Sequence, residues 1–122
     1  MPTSVPTAID LRSFTATWVG QAIVVRWETV AEVDIWGFHI YRSATGKRAD
    51  AVRITPQLIL ARGHTNGALY TWTDAQVDRG VDYTYWLAEA EVDGATNEYG
   101  PAPARATDAA VPIRVFLPLL RR

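Results

Sequence analysis

Not one of the 122 residues is a cysteine. That absence removes disulfides, thiolate nucleophiles and Cys-based zinc sites together, although it leaves the compartment open. Core packing must then hold the chain, and area scaling for this length buries about two thirds of the surface on folding, enough for one domain without staples. An excess of either charge is also missing. Twelve basic residues face thirteen acidic ones, for a formal net charge of -1, so no broad basic field favours nucleic acid as a partner. Long apolar runs are lacking too. The greasiest stretch, residues 111–120, is interrupted by Arg114 and two prolines, and no membrane span is expected. The opening residues have neither the basic start nor the apolar centre of a signal peptide, so an exported protein would need a signal outside this chain.

Catalytic and ligating motifs are equally scarce. His39 and His64 are the two histidines, and without Cys they complete no usual zinc set. Ser4, Ser13 and Ser43 have no glycine-flanked nucleophile turn around them. The stretch from Gly63 to Gly67 lacks the Lys-terminated loop that cradles phosphate. Glu28, Glu32 and Asp34 crowd one end with Asp10, yet glycoside hydrolysis needs paired carboxyls across a cleft, and calcium needs six or more regularly spaced oxygens. These acids are read as loop solvation and turn hydrogen bonding. No enzyme activity, cofactor or metal is expected.

What is present is a succession of short runs rich in β-branched and aromatic residues, separated by Gly and Asp. Residues 1–9, with Pro2 and Pro6, read as a linker or frayed lead-in. The domain is placed at residues 10–108 and an apolar extended tail at 109–122. Strands are expected at 11–18, at 22–28 with Ile23, Val25 and Trp27 on one face, and at 38–43 with Phe38, Ile40 and Arg42 on one face. Residues 29–36 read as a loop. Pro56 limits residues 52–62 to edge segments around Ile54 and 58–61. Asn66-Gly67 reads as a hairpin pair before a strand at 68–73. A long strand at 81–92 lines Tyr83, Tyr85 and Leu87 on one side, and Asp93-Gly94 reads as a type I′ hairpin into an edge-like strand at 97–107, broken near Pro101 and Pro103. The fold class is all-β: an immunoglobulin-like sandwich of about seven strands plus a C-terminal extended segment. Its core residues are Trp27, Phe38, Ile40 and Leu87, with Ile23, Val25 and Tyr85, and truncating Trp27 to Ala is expected to cost about 3–5 kcal/mol.

The segments Ile23-Val24-Val25-Arg26-Trp27, Gly37-Phe38-His39-Ile40-Tyr41-Arg42-Ser43 and Gly80-Val81-Asp82-Tyr83-Thr84-Tyr85-Trp86-Leu87 resemble the fibronectin type III family. More narrowly, Trp27-Glu28-Thr29 and the run from Glu32 to Phe38 resemble the modules of that family attached to secreted or surface proteins of environmental bacteria. The end, from Ile113 to Arg121, resembles a short tail that closes some of them. The resemblance covers about residues 11 to 107. It implies an extracellular or cell-surface location, a core role for Trp27, and a tyrosine corner at Tyr83 with its hydroxyl bonded to backbone near the crossover from the preceding strand. Integrin-type recognition is not implied, since no Arg-Gly-Asp triplet occurs.

Two positions are anomalous. Arg42 shares the inward parity of Phe38 and Ile40, and Glu89 that of Leu87, so a cross-strand ion pair between them at the sandwich edge is expected, with Glu89 at a bulge or at the rim. Tyr41 and Trp86 point the other way, and an exposed aromatic strip there could stack on sugar or dock a protein. The tail supplies Val115, Phe116, Leu117 and Leu119 as further partner-binding residues. It can pack on its own domain, insert on a neighbouring copy, or attach to the cell envelope. The resulting expectation is a non-catalytic structural, adhesion or assembly module whose partners are neighbouring domains or copies of itself. The alternative is a glycan-binding accessory module of a secreted hydrolase.

Overall fold

The computed structural model describes residues 9–107. The lead-in before Ile9 and the tail, with Val115, Phe116, Leu117 and Leu119, lie outside the described residues. Among the described residues eight strands form two antiparallel sheets: β1 (Ile9–Val19), β2 (Ala22–Glu32), β3 (Ile35–Ser43), β4 (Val52–Arg53), β5 (Ile59–Leu60), β6 (Leu69–Asp74), β7 (Tyr83–Glu91) and β8 (Thr96–Ala104). One sheet has the order β1-β2-β6 and the other β4-β3-β7-β8, with β5 also paired to β3. The two pack face to face as a fibronectin type III-like β-sandwich.

Period-two alternation puts the expected side chains inside. Ile23, Val25, Trp27, Phe38, Ile40, Tyr85 and Leu87 are all fully buried. Tyr70, from β6, joins them unanticipated. Its ring stacks on Trp27 at 5.1 Å, while Phe38 meets Tyr70 edge-on at 5.0 Å and Trp27 at 5.6 Å. Geometries of this kind add about 0.5–1.5 kcal/mol per pair beyond the area they bury.

Several boundaries differ from expectation, each for a local reason. The loop placed at 29–36 shrinks to Val33 and Asp34, because Thr29 and Glu32 are buried partners of the core and not solvated connectors. Asp34 makes so short a crossing possible by taking φ 58°, a left-handed conformation that Asp tolerates better than most residues. Asn66-Gly67 does not make a hairpin. It closes a 3-10 turn, His64–Asn66, that carries the chain from β5 in one sheet to β6 in the other. The β7–β8 turn is also not type I′, which needs positive φ at both central residues. Gly94, at φ 97°, donates its N–H to the Glu91 carbonyl at 3.0 Å, and Asp93 keeps negative φ. That is a type I turn closed by a glycine bulge.

The tyrosine corner is present. The Tyr83 hydroxyl accepts the Asp78 N–H at 2.9 Å, tying the start of β7 to the crossover from β6.

Candidate functional site

Arg42 and Glu89 do not pair. Arg42 sits opposite Tyr85, and Glu89 opposite Phe38, so the two lie four residues apart along their strands. Arg42 instead reaches across the sandwich to β6. Its Nη1 donates to both oxygens of Asp74, at 2.9 and 3.1 Å, and to the Gln76 carbonyl at 2.9 Å. Its guanidinium also lies over the Tyr83 ring. Asp74 further accepts the Tyr85 hydroxyl at 2.7 Å, and burial together with that bond pushes the phenol's pKa far up. Nor is Glu89 at a rim or a bulge. It is fully buried in regular register.

The strip containing Tyr41 and Trp86 does lie on the outer face of the larger sheet, but it is not an open platform. Trp86 is 7% exposed. Arg48, from the turn before β4, stacks its guanidinium over Tyr41 at 4.5 Å and reaches Trp86 at 6.0 Å. Glu98 of β8 holds that guanidinium in a two-point ion pair, with Nε 2.9 Å from Oε1. The other flank of Trp86 is closed by β8, where a Cβ added at Gly100 would fall 2.8 Å from the indole. Strand parity foretold the face. The covering arginine came from a turn whose path the parity does not describe.

An open site does occur where the free edges of the two sheets splay apart. Between β4 and β6 runs a groove of about 580 Å³, lined by Arg42, Val52, Arg53, Ile54, Pro56, Trp72, Thr73, Asp74, Ala75 and Gln76. Trp72 is partly buried against the core and shares the inward side of β6 with Tyr70 and Asp74. The Arg42–Asp74 couple closes one end with planar donors and acceptors already fixed in place. Arg53, on β4, is exposed and makes no ion pair among the described residues. Nearby, the His39 imidazole bonds the buried Thr55 hydroxyl at 2.7 Å, and desolvation, aided by Arg53, lowers its pKa. Sequence reasoning missed this groove because it is assembled from two edge strands whose proximity no single segment encodes.

Two of the clustered acids, Glu32 and Glu28, serve structure. Glu32 is buried and bonded on both oxygens, and Glu28 makes a 3.5 Å surface pair with Arg12. Among the described residues no group of three or more His, Asp or Glu gathers as a metal site, and no helix is long and apolar enough to cross a membrane.

This architecture defines an Fn3-like β-sandwich module, and comparison with solved structures agrees. The chain is similar to an Fn3-like protein from Clostridium thermocellum, with a TM-score of 0.56 and 17% identity over 81% of this chain and 94% of that one. It is also similar to pectate lyase Pel3 from Pectobacterium carotovorum, with a TM-score of 0.60 and 22% identity over 87% of this chain. The match spans 28% of the length of that lyase. No family model and no curated protein matches the sequence.

Proposed function

We propose that this chain is a non-catalytic accessory module of an extracellular or cell-surface protein, and that it docks a polysaccharide in the groove between β4 and β6. The observation that carries the reading is the placement of Trp72 beside the preset Arg42–Asp74 couple, Arg53 and Gln76 in an open channel. Sugar rings present an apolar face to an indole and equatorial hydroxyls to planar side chains, and a channel of this volume takes a few sugar units. Likeness to part of a protein named as a pectate lyase supports a module that accompanies carbohydrate chemistry without performing it.

The test is calorimetric titration with a panel of soluble polysaccharides, polygalacturonate and neutral glucans among them. Saturable binding that Trp72→Ala weakens by about tenfold or more supports the groove. Absence of heat and of tryptophan emission change across the panel would overturn the glycan reading.

A further inference from the structure

The two ends of the sandwich differ in what they expose. At one end the β2–β3 crossing, the turn before β6 and the β7–β8 turn meet around a small pocket of about 130 Å³. Asp34, Trp36, Ala61, His64 and Val92 line it, and the Val92 N–H bonds the Asp34 carbonyl at 2.9 Å, fastening two of the turns together. Around this pocket large apolar side chains stand in solvent: Val33 is 52% exposed, Trp36 57% and Val92 50%. Three uncovered apolar groups, Val33 and Val92 on turns and the Trp36 indole at the start of β3, mark an interaction surface more than a solvated cap. Exposed acids, Asp34 and Asp93, flank them.

At the opposite end β8 finishes at Ala104, paired with Tyr83, and the Ala106 N–H bonds the Asp82 carboxylate at 2.8 Å. There the described chain stops and residues 108–122 begin. Their sequence holds Val111, Ile113, Val115, Phe116, Leu117, Leu119 and Leu120, together with Arg114, Arg121 and Arg122. The composition complements the apolar, acid-flanked turns at the far end.

We infer that the turn end around Trp36 is the docking surface for residues 111–122 of a second copy of this chain, so that copies join head to tail. Reach decides between the second copy and the chain's own tail. The nine residues of β7 separate the two ends by roughly 30 Å. From Thr107 to Phe116 is nine residues as well, which fully stretched cover about 30 Å. A chain's own tail therefore cannot bring residues 111–115 to the far end, whereas a neighbour stacked end to end delivers the whole apolar segment. Donor and acceptor surfaces occupy opposite ends, so the contact is heterologous and builds open chains instead of a closed dimer. The inference is independent of the glycan reading, since neither Trp36 nor Val92 lines the groove.

Sedimentation of the full chain from about 1 µM to about 1 mM tests it, a span that brackets a contact of this size. Average mass should climb steadily with concentration. Trp36→Asp in the full chain should weaken association by roughly 30-fold. Val92→Asp serves as a second variant, and because both side chains are half exposed neither is needed for the core. A chain ending at Thr107, which retains every described strand and the described core, should remain monomeric, with a strand-type far-ultraviolet spectrum like the parent's as the check on its fold. Mixing that shortened chain with the full-length Trp36→Asp variant leaves one intact surface on each, and should give a heterodimer that grows no further. A full chain that stays monomeric throughout, or Trp36→Asp and Val92→Asp variants that assemble like the parent, would overturn the proposal.

Discussion

Two glutamates are shut inside this sandwich and are handled in opposite ways. Glu32, near the end of β2, is 5% exposed, and Glu89, in β7, is fully buried. Oε1 of Glu32 accepts the Gly63 N–H at 2.8 Å, and Oε2 accepts the hydroxyls of Thr29 and Tyr70, both at 2.6 Å. One carboxylate thereby ties β2 to β6 and to the turn before it. Burial and that bond push the Tyr70 phenol up to about 12. Oε1 of Glu89 accepts longer bonds, from Asn97 Nδ2 and the Tyr99 hydroxyl at 3.1 Å each, while Oε2 has no hydrogen-bond partner among the described residues. Burial raises the Glu89 pKa, with Glu91 adding to the rise and the two bonds opposing it. A buried carboxyl served on both oxygens works as a cross-link. One served on a single oxygen is cheaper to bury as the neutral acid.

Removing the cross-link should have the largest effect. Glu32→Ala strands the Gly63 N–H and the Tyr70 hydroxyl inside the protein, and only Thr29 keeps another acceptor, the Ala68 carbonyl at 3.4 Å. Each stranded group costs about 1–3 kcal/mol. The variant should lose about 3–5 kcal/mol in urea unfolding, a large fraction of the roughly 5–15 kcal/mol that holds an ordinary domain. A loss under about 1 kcal/mol would mean that water replaces the carboxylate, and the contrast with Glu89 would fail.

How much of this was readable in the sequence follows from what alternation encodes. Parity assigns a face, and it correctly sent Trp27, Phe38, Ile40, Leu87, Arg42 and Glu89 inward and Trp86 outward. It says nothing of height along the strand. Arg42 and Glu89 therefore looked like partners although four residues of register separate them, and Asp74, the real partner, was hidden in what read as a crossover. Glu32 was similarly hidden, because Thr29-Val30-Ala31-Glu32 looks polar and its parity slips by one after Thr29, opposite a register shift in β1, so that Glu32 and not Ala31 is buried. The role of Tyr83 was implied by the resemblance to fibronectin type III domains, and its hydroxyl does bond backbone five residues back, at Asp78. The groove and the covering of Trp86 were not legible, since each joins distant segments.

A smaller effect is expected at Glu89, and of opposite sign. Its folded pKa is raised, so between its unfolded value near 4.5 and the folded value the folded state holds more protons than the unfolded state. The stability this group contributes is complete below the unfolded value and drains away as pH rises through the folded one. Glu89→Gln keeps an acceptor for Asn97 and Tyr99 without a charge to bury. It should flatten that part of the stability–pH curve and raise stability near pH 7 by about 1 kcal/mol. A variant less stable than the parent at pH 7, with the same slope, would show that Glu89 is carried ionised.

Glu98 extends the comparison to a half-exposed acid that has a cation, and there the expected change in stability is smallest. Its side chain is 36% exposed and that of Arg48 41%. The Arg48 hydrogen bond holds the Glu98 carboxyl below the usual range, so its contribution is present above the unfolded value and fades as pH falls through the depressed one. Pairs this exposed are worth about 0.2–1 kcal/mol, and Arg48→Ala should cost no more than that. Its visible consequence is optical. With the guanidinium gone from above Tyr41 and Trp86, acrylamide should quench tryptophan emission more strongly and the emission should move to the red, while Glu98→Ala, which frees Arg48 without deleting it, should give a partial change. Unaltered quenching in Arg48→Ala would assign the cover of Trp86 to β8 at Gly100 alone, and the surface acid would then hold an arginine that shields nothing.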